Sequence, residues 1–206
     1  MKYHCLFRIS LLMFANASAE PSKDYSKVDD TSYVDTNGDR VIRLSVEVTA
    51  ATNDVWRTLT TAEGWRSFAV AFAHLDMRVG GIIETSYNPK AILGDPDNIK
   101  NEIVAYVPGR IVAIRCVQAP RNFEHREEFF STSTLFEIIP LKKKKTRIQI
   151  TAVGYRSGEA YDTLFKNFRW GDAYTLDKLR LRFEGGNPTP PMENKNAREF
   201  NAKPVK

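Results

Sequence analysis

The sequence contains few of the residues on which disulfides, metal sites and nucleophilic catalysis depend. It has two cysteines and three histidines in 206 residues. Cys5 belongs to an N-terminal leader described below, so Cys116 would remain alone and could form no internal disulfide. His74 and His125 stand outside any HxH, HExxH or CxxC spacing, and no metal site is predicted. Cys116 lies in an apolar stretch, which favours a buried structural thiol over a nucleophile.

Motifs that bind phosphates and cofactors are also missing. The chain has no G-x-S-x-G elbow, no phosphate-binding loop and no dinucleotide fingerprint, so no cofactor is predicted. Its adjacent carboxylates, such as Glu127 and Glu128, point apart on a strand or around a helix and make a shared acid–base site improbable. No apolar run approaches the roughly 20 residues of a transmembrane helix, which argues against stable membrane insertion.

The first 19 residues have the pattern of a secretory signal peptide. Lys2 and Arg8 precede the apolar run Ile9–Ala15, and Ala17–Ala19 form an A-x-A-like cleavage pattern. The alternative is a frayed apolar N-terminus. The signal reading predicts a secreted or periplasmic protein.

The basic character of the chain is modest. Loss of residues 1–19 removes two basic residues and no acid, which lowers the net charge from +5 to +3. The lysine run Lys142–Lys145 could bind an anionic membrane or nucleic acid, but a solvated hairpin tip is the simpler interpretation. Without an arginine-rich groove, no nucleic-acid partner is predicted.

Most of the chain reads as strands that follow one another in hairpins. Residues 20–39 are polar and predict a linker or a loosely attached strand, and the Pro- and Asn-rich residues 187–206 predict a flexible tail. Period-two patterning and turn residues predict strands at Arg40–Thr49, His74–Arg78, Ile82–Tyr87, Ile99–Val107, Ile111–Gln118, Phe129–Pro140 and Thr146–Tyr155. Two short helical or loop pieces follow the first strand, before residue 73.

The last predicted element is a long helix from Ser157 to about Glu184, which ends before Gly185 and Gly186. Its large apolar residues share one side of a helical wheel, namely Tyr161, Leu164, Phe165, Phe168, Leu176, Leu179 and Phe183. Ser157 is the predicted N-cap. Burial of this side is worth roughly 10–20 kcal/mol, which does not offset the ordering of about 25 residues, so the helix needs an apolar sheet to receive it.

Hairpin strands with helices segregated to one side predict an α+β fold. A strongly curved sheet around one helix leaves a gap between the two, and that gap is the natural pocket. We therefore expect one domain over residues 40–186.

Five stretches in this order resemble the SRPBCC superfamily, the START-related helix-grip group that includes the birch-pollen allergen. They are RLSVEVTAATNDVWRTLTTAEGW, DMRVGG, AYVPGRIVAIR, TRIQITAVGY and DAYTLDKLRLRFEGG. The most similar branch is the one named after the activator of the heat-shock-ninety ATPase. The resemblance covers residues 40–184 and implies a seven-stranded antiparallel sheet, two small helices at one end and a cavity under the long helix. It brings no catalytic motif.

Asp172 is the most informative single residue. Its wheel position lies within the apolar stripe, where a bare carboxylate must be paired, protonated or solvated. It is a polar anchor in a wet cavity, or Gly171 loosens the helix at this point, or a strand Arg or Tyr satisfies the carboxylate for structural reasons. Trp170 and Tyr174 lie on the opposite side, as a partner surface or packed under the N-terminal segment.

The other candidate cavity residues are aromatic or are carried by strands of unknown register. Trp65, Phe68 and Phe72 are either a gate or ordinary core. The complete set of predicted ligand-binding residues is Trp65, Phe68, Phe72, Tyr87, Tyr106, Arg115, Tyr155, Phe165, Phe168 and Asp172.

Three functions remain open from the sequence. The first is an exported protein that binds a small, largely apolar ligand, lipid-like or polycyclic, between the sheet and the helix. The second is a cyclase- or hydrolase-type enzyme that uses Asp172 with a Tyr or Arg as an acid–base pair. The third is an interaction module with an extracytoplasmic protein partner.

Overall fold

The computed structural model describes residues 25–185. The predicted leader 1–19 and tail 187–206 lie outside this range. The elements are β1 (Asp29–Asp30), β2 (Tyr33–Val34), β3 (Arg40–Val48), α1 (Thr52–Thr60), α2 (Ala62–Arg66), β4 (Phe72–Leu75), β5 (Ile82–Ser86), β6 (Ile99–Val107), β7 (Ile111–Gln118), α3 (Arg126–Phe130), β8 (Ser133–Pro140), β9 (Thr146–Tyr155) and α4 (Glu159–Phe183).

All strands join one antiparallel sheet, in the order β1-β3-β9-β8-β7-β6-β5-β4, with β2 also paired to β3. The seven predicted strands are present, and the two-residue strands β1 and β2 are added at the edge. The sheet and the long C-terminal helix confirm the α+β helix-grip prediction. Within residues 25–185, no helix combines the length and apolar character that a membrane span requires.

The β8–β9 hairpin has a tight turn formed by two lysines. Lys143 and Lys144 both adopt positive φ, at 61° and 57°, the conformation of the tight turns that match the twist of a hairpin. Residues 142–145 are all exposed. The solvated hairpin tip is the environment that the structure shows for this lysine run.

Residues 25–39 are part of the fold in the described structure. Asp29 and Asp30 pair with Ser45 and Leu44, and β2 pairs with the beginning of β3. Tyr25 and Val28 are buried in the main core. Of the two readings for this polar segment, the attached strand agrees with these contacts.

The concave face of the sheet carries the core. Cross-strand partners point to the same face, so Leu44, Ile150 and Phe136 form one buried row across β3, β9 and β8. The next row joins Val46, Ile148 and Ile138. These β-branched and aromatic side chains form the wide apolar surface that α4 requires.

Helix α4 lies across β3 and β9 and also contacts α3. Its buried apolar residues include Leu164, Phe165, Leu176 and Leu179, four of the seven predicted ones. The predicted N-cap was wrong, because Gly158 occupies this position with φ 126° and no side chain caps the helix. Glycine adopts a backbone conformation with positive φ readily, and serine does not.

Both ends of α4 are fastened to neighbouring elements. Near its beginning, the Tyr161 hydroxyl is hydrogen-bonded to Ser131 Oγ at 3.0 Å, just after α3. Near its end, Arg182 Nε donates to Ser67 Oγ at 2.5 Å, just after α2. The short helices therefore hold the long one over the sheet at two points.

Candidate functional site

The space between α4 and the far half of the sheet is the candidate functional site. α4 packs against β3 and β9, and it makes no comparably extensive contact with β5, β6 or β7 in the described structure. The concave faces of those strands carry Ile83, Ile103 and Ile114 toward the interior. Helix α4 therefore covers the β3 and β9 side of the sheet, and the inward residues of β5, β6 and β7 are buried in the same core without extensive contact with α4.

Asp172 lies on the side of α4 that faces this space. Its Oδ2 atom is inaccessible to solvent and has no hydrogen-bond partner in the described structure. Burial raises the pKa of its carboxyl group from 3.8 to about 7. A buried carboxylate without a partner costs free energy, so its retention on an otherwise apolar face calls for an explanation.

Two tyrosines from different strands lie close enough to Asp172 to feel its charge. Burial raises the pKa of Tyr155, at the end of β9, well above 10, and the Asp172 carboxylate raises it further. Burial is also the largest cause of the raised pKa of Tyr87, and the charges of Asp172 and Tyr174 raise this pKa further. The charge of Asp172 therefore influences residues of two strands, Tyr155 of β9 and Tyr87 at the end of β5.

Tyr87 shows that the space is open on one side. Its surface is 55% exposed, although burial is the largest cause of its raised pKa. These observations agree if the ring is surrounded by protein but borders an opening that solvent can reach. By strand alternation Tyr87 shares the inward face with Ile83 and Thr85, one residue beyond the end of β5.

Phenylalanines complete the wall around Asp172. Phe165 meets Tyr155 edge-on at a ring distance of 5.5 Å. Phe168, one helical turn before Asp172, stacks on Phe129 of α3 at 4.6 Å, and Phe123 lies 5.1 Å from Phe129. We use the term recess for the region that five side chains line, namely Tyr87, Tyr155, Phe165, Phe168 and Asp172.

Gly171 adds free volume beside Asp172. A Cβ at this position would meet no atom within 4 Å apart from the neighbouring residues and the helix's own backbone. Glycine costs about 1 kcal/mol relative to alanine inside a helix, and no close packing requires it here. The structure thus leaves open space beside Gly171, the residue that precedes Asp172 in the chain.

The structure brings five of the ten predicted residues together and distributes the rest elsewhere. Trp65, Phe68 and Tyr106 lie on the core side near α1 and α2. Trp65 donates its Nε1 hydrogen to Leu59 O at 2.8 Å and its ring lies 6.2 Å from Phe136, while Tyr106 packs on Trp56 at 5.5 Å. Trp65, Phe68 and Tyr106 are therefore packed in the core.

Phe72 and Arg115 lie on the face of the sheet that points away from α4. Arg115 pairs with Glu102 at 2.9 Å, and Phe72 is opposite Ser86, on the same face as Glu84. The reason is strand parity, because a shift of one residue in register moves a side chain to the other face. The arginine that could have satisfied Asp172 is therefore outside the recess.

Sequence reasoning missed Phe123, because residues 119–128 read as a polar connection, and it assigned Phe129 to the strand Phe129–Pro140, whereas the strand begins at Ser133 and Phe129 belongs to α3. The available signal for Phe123 was a large aromatic side chain within a polar stretch. It also missed Arg169, which is 3% exposed and pairs with Asp30 at 2.7 Å. Both findings depend on tertiary contacts that a local pattern does not contain.

Cys116 and the metal prediction can be compared with the described residues directly. Cys116 is buried, its Sγ donates to Gln118 O at 3.2 Å, and burial raises the pKa of its thiol to about 12. This environment keeps the thiol protonated and suits the predicted structural role. Residues 25–185 contain no cluster of three potential metal ligands.

A second concavity, a groove of about 380 Å³, lies at the edge of the sheet. It contains opposite charges that already pair, since Arg147 binds Glu47 at 2.8 Å and Arg180 binds Glu184 at 2.5 Å. The Arg147–Glu47 pair is partly exposed and contributes little, and Arg180 is bound to Asp177 as well. The recess, not this groove, contains the unpartnered carboxylate oxygen.

Comparison with known proteins shows the fold. No family model matches the chain, and no curated protein matches it significantly. CalU16 from Micromonospora echinospora superposes with a TM-score of 0.56 at 16% identity, over 84% of this chain and 92% of that one. The Aha1 dimer from Colwellia psychrerythraea gives 0.53 at 16% identity, over 71% and 97%.

A third similar structure is the di-domain ARO/CYC protein BexL from the BE-7585A biosynthetic pathway. It superposes with a TM-score of 0.54 at 13% identity, over 70% of this chain and 46% of that one. All three have SRPBCC-type helix-grip folds. At these identities the similarity establishes the architecture of the chain and leaves its chemistry to be argued from its own residues.

Proposed function

We propose that this protein binds a small, largely apolar ligand in the recess between the sheet and α4. The observation that carries the proposal is the unpartnered Oδ2 of Asp172, held among aromatic side chains on a helix that covers only part of the sheet. Burial of apolar ligand surface would supply most of the affinity, and Asp172 and the two tyrosines would orient the ligand. An ARO/CYC protein among the structural neighbours is in keeping with a small-molecule role.

A titration with a neutral fluorescent probe tests the proposal. We expect Nile red to bind one site per chain, with an increase and a blue shift of its emission. Phe168→Ala enlarges the recess and removes one stacking surface, so it should change the affinity, while Trp56→Ala on α1, away from the recess, is the matched control. Absence of saturable binding, together with native mass spectrometry that detects only the free chain, would contradict the proposal.

A second candidate function is acid–base catalysis on such a ligand. A carboxyl group with a pKa near 7 is suited to exchange protons at neutral pH, and Tyr155 lies close enough to feel its charge. This function predicts that Asp172→Asn binds the molecule but abolishes its conversion. If turnover of any converted substrate survived this substitution, Asp172 would not be the acid–base group.

We also propose that the protein is exported, on the basis of residues 1–19 alone. Expression of the full chain in a bacterial host should release protein that begins at Glu20, as N-terminal sequencing would show. Ala17→Lys and Ala19→Lys should block this cleavage, because the pattern requires small residues at these positions. An intact N-terminus on protein recovered from the cytosol would contradict export.

A further inference from the structure

The carboxylate of Asp172 has no positively charged partner in the described part of the chain. Arg169, one turn before it, pairs with Asp30 at 2.7 Å. Arg40, on the adjoining strand β3, pairs with Asp162 at 2.6 Å and lies over the Phe165 ring. The cations nearest along the helix and the neighbouring strand are therefore committed elsewhere.

Aromatic side chains approach Asp172 from several elements instead. Tyr155 of β9 and Tyr87 at the end of β5 both feel its charge. Phe168 and Phe165 precede it by one turn and two turns on its own helix, with the Phe165 ring against Tyr155. Ring faces attract organic cations, and a buried carboxylate forms its strongest hydrogen bonds with charged donors. A carboxylate beside several rings is thus a combination that suits an ammonium group.

Other polar groups suit this arrangement less well. A ligand carboxylate would place two like charges together, and one of them would have to be protonated. A ligand hydroxyl could donate a hydrogen bond to Oδ2, but it would not offset the charge, and neutral donors form bonds about half as strong. An amine satisfies the acceptor and neutralises the charge at once.

We propose that the ligand of the recess is an apolar molecule with a protonated amine, and that Asp172 binds this amine. The inference rests on the proposed function, because it specifies the polar end of the same ligand. The amine would bind Oδ2 of Asp172, and the hydrocarbon part would lie against the aromatic side chains of the recess.

The pH dependence of binding follows from the ionisation of Asp172. The titratable groups that face it are Tyr155 from β9 and Tyr87 from the end of β5. Burial alone raises the pKa of Asp172 to about 7, and neither Arg40 of β3 nor Arg126 of α3 contributes to that pKa. An ammonium ligand selects the ionised carboxylate. Its affinity should therefore rise about 30-fold between pH 5.5 and 8 and then level off.

Isothermal titration with three ligands of equal chain length tests the inference. We expect decylamine to bind most tightly, decanol more weakly and without pH dependence, and decanoate most weakly. Asp172→Asn should reduce the affinity for decylamine at least 10-fold at pH 8 and leave that for decanol within 3-fold. Glu159→Gln, which removes one negative charge from the exposed first turn of α4, is the matched control.

The outcomes separate the two proposals. If decanol or decanoate bound as tightly as decylamine, or Asp172→Asn left decylamine binding unchanged, the amine assignment would be wrong and the binding function would stand. If none of the three ligands bound to a folded parent protein, both proposals would fall. Thermal melting of each variant confirms that a lost affinity is not lost folding.

Discussion

Arg169 and Asp172 are two charged residues one turn apart on α4, and their surroundings differ completely. Arg169 is buried against the N-terminal segment, where Asp30 accepts hydrogen bonds from its Nε at 2.8 Å and its Nη2 at 2.7 Å. The Oδ2 atom of Asp172 is equally inaccessible but has no partner in the described structure, and the groups around it are aromatic. Among residues 25–185, one charge is matched and the other is not.

The difference separates a structural role from a functional one. A buried ion pair fixes how two segments meet, because either charge alone would be costly to bury. An unmatched carboxylate contributes nothing of this kind and lowers stability whenever it is ionised. Polar groups that destabilise a fold are concentrated at binding and catalytic sites, so Asp172 and not Arg169 marks the site.

The ion pair is where substitution should have the largest effect. Arg169→Met removes the cation and leaves Asp30 without its partner, and we expect a loss of about 3–5 kcal/mol in the free energy of unfolding. Chemical denaturation followed by tryptophan fluorescence would measure it. The charge-free double variant Asp30→Asn with Arg169→Met should lose less than the sum of the two single changes.

A loss below about 1 kcal/mol in Arg169→Met would contradict the structural role of Arg169, because its ion pair would then stabilise the fold no more than an exposed pair does. Lys166→Met, on the exposed side of the same helix, controls for the loss of a positive charge. It should change the free energy of unfolding by less than about 0.5 kcal/mol.

Asp172→Asn should increase the free energy of unfolding, whereas Arg169→Met should decrease it. Burial raises the pKa of Asp172 from 3.8 to about 7, so the folded chain holds this proton more tightly than the unfolded chain. Its contribution to stability is therefore lost as pH rises through this range. Relative to the parent, the asparagine variant should gain up to about 4 kcal/mol between pH 4 and pH 8.

Denaturation of both proteins at several pH values would measure this gain as the difference between two curves, which cancels the effect of all other titrating groups. Asp97→Asn is a useful counterpart, since the pKa of Asp97 is lowered to about 2 by its hydrogen bonds with Arg121. A parent and an Asp172→Asn variant that respond identically to pH would show that the carboxyl group is matched after all.

Gly171→Ala sharpens the distinction between stability and function at one position. A Cβ there meets open space, and alanine favours a helix over glycine, so we expect a gain of about 1 kcal/mol. We expect the same methyl group to weaken the binding of Nile red or decylamine, because Gly171 adjoins Asp172 in the chain. A stabilised variant with unchanged affinity would place the ligand away from this turn.

The smallest effect is expected on the outer face of the sheet. Arg115→Ala breaks the partly exposed pair with Glu102 and should lower stability by no more than about 1 kcal/mol. Its affinity for decylamine should equal that of the parent, because the side chain lies on the face away from α4. Altered binding would show that the outer face communicates with the recess.

The fold was largely predictable from local patterns. The strands Ile99–Val107, Ile111–Gln118 and Thr146–Tyr155 were predicted with the bounds that the structure has, because period two and turn residues mark them clearly. The strands β1 and β2 contain two residues each and have no period to detect. Their partner residues in β3 follow them within the next 16 residues, but a run of two residues carries no pattern that marks the pairing.

The site was less predictable, for a reason that Arg115 and Asp172 illustrate. The helical wheel assigns Asp172 to the apolar side because all residues of one helix share one axis. For Arg115 the face depends on the register with β6 and β8, and a single sequence does not fix it. The aromatic contacts of Phe123 depend likewise on α3, which the charged residues before Phe129 concealed.

The two hydroxyl contacts of α4 have a mechanical consequence. A third attachment lies near the middle of the helix, where Arg169 pairs with Asp30, two residues from Gly171. Contacts near both ends and near the middle hold α4 in place along its whole length, so Asp172 keeps a fixed position relative to Tyr155 of β9. We therefore expect amide exchange in α4 to be as slow around Gly171 as in the turns on either side of it.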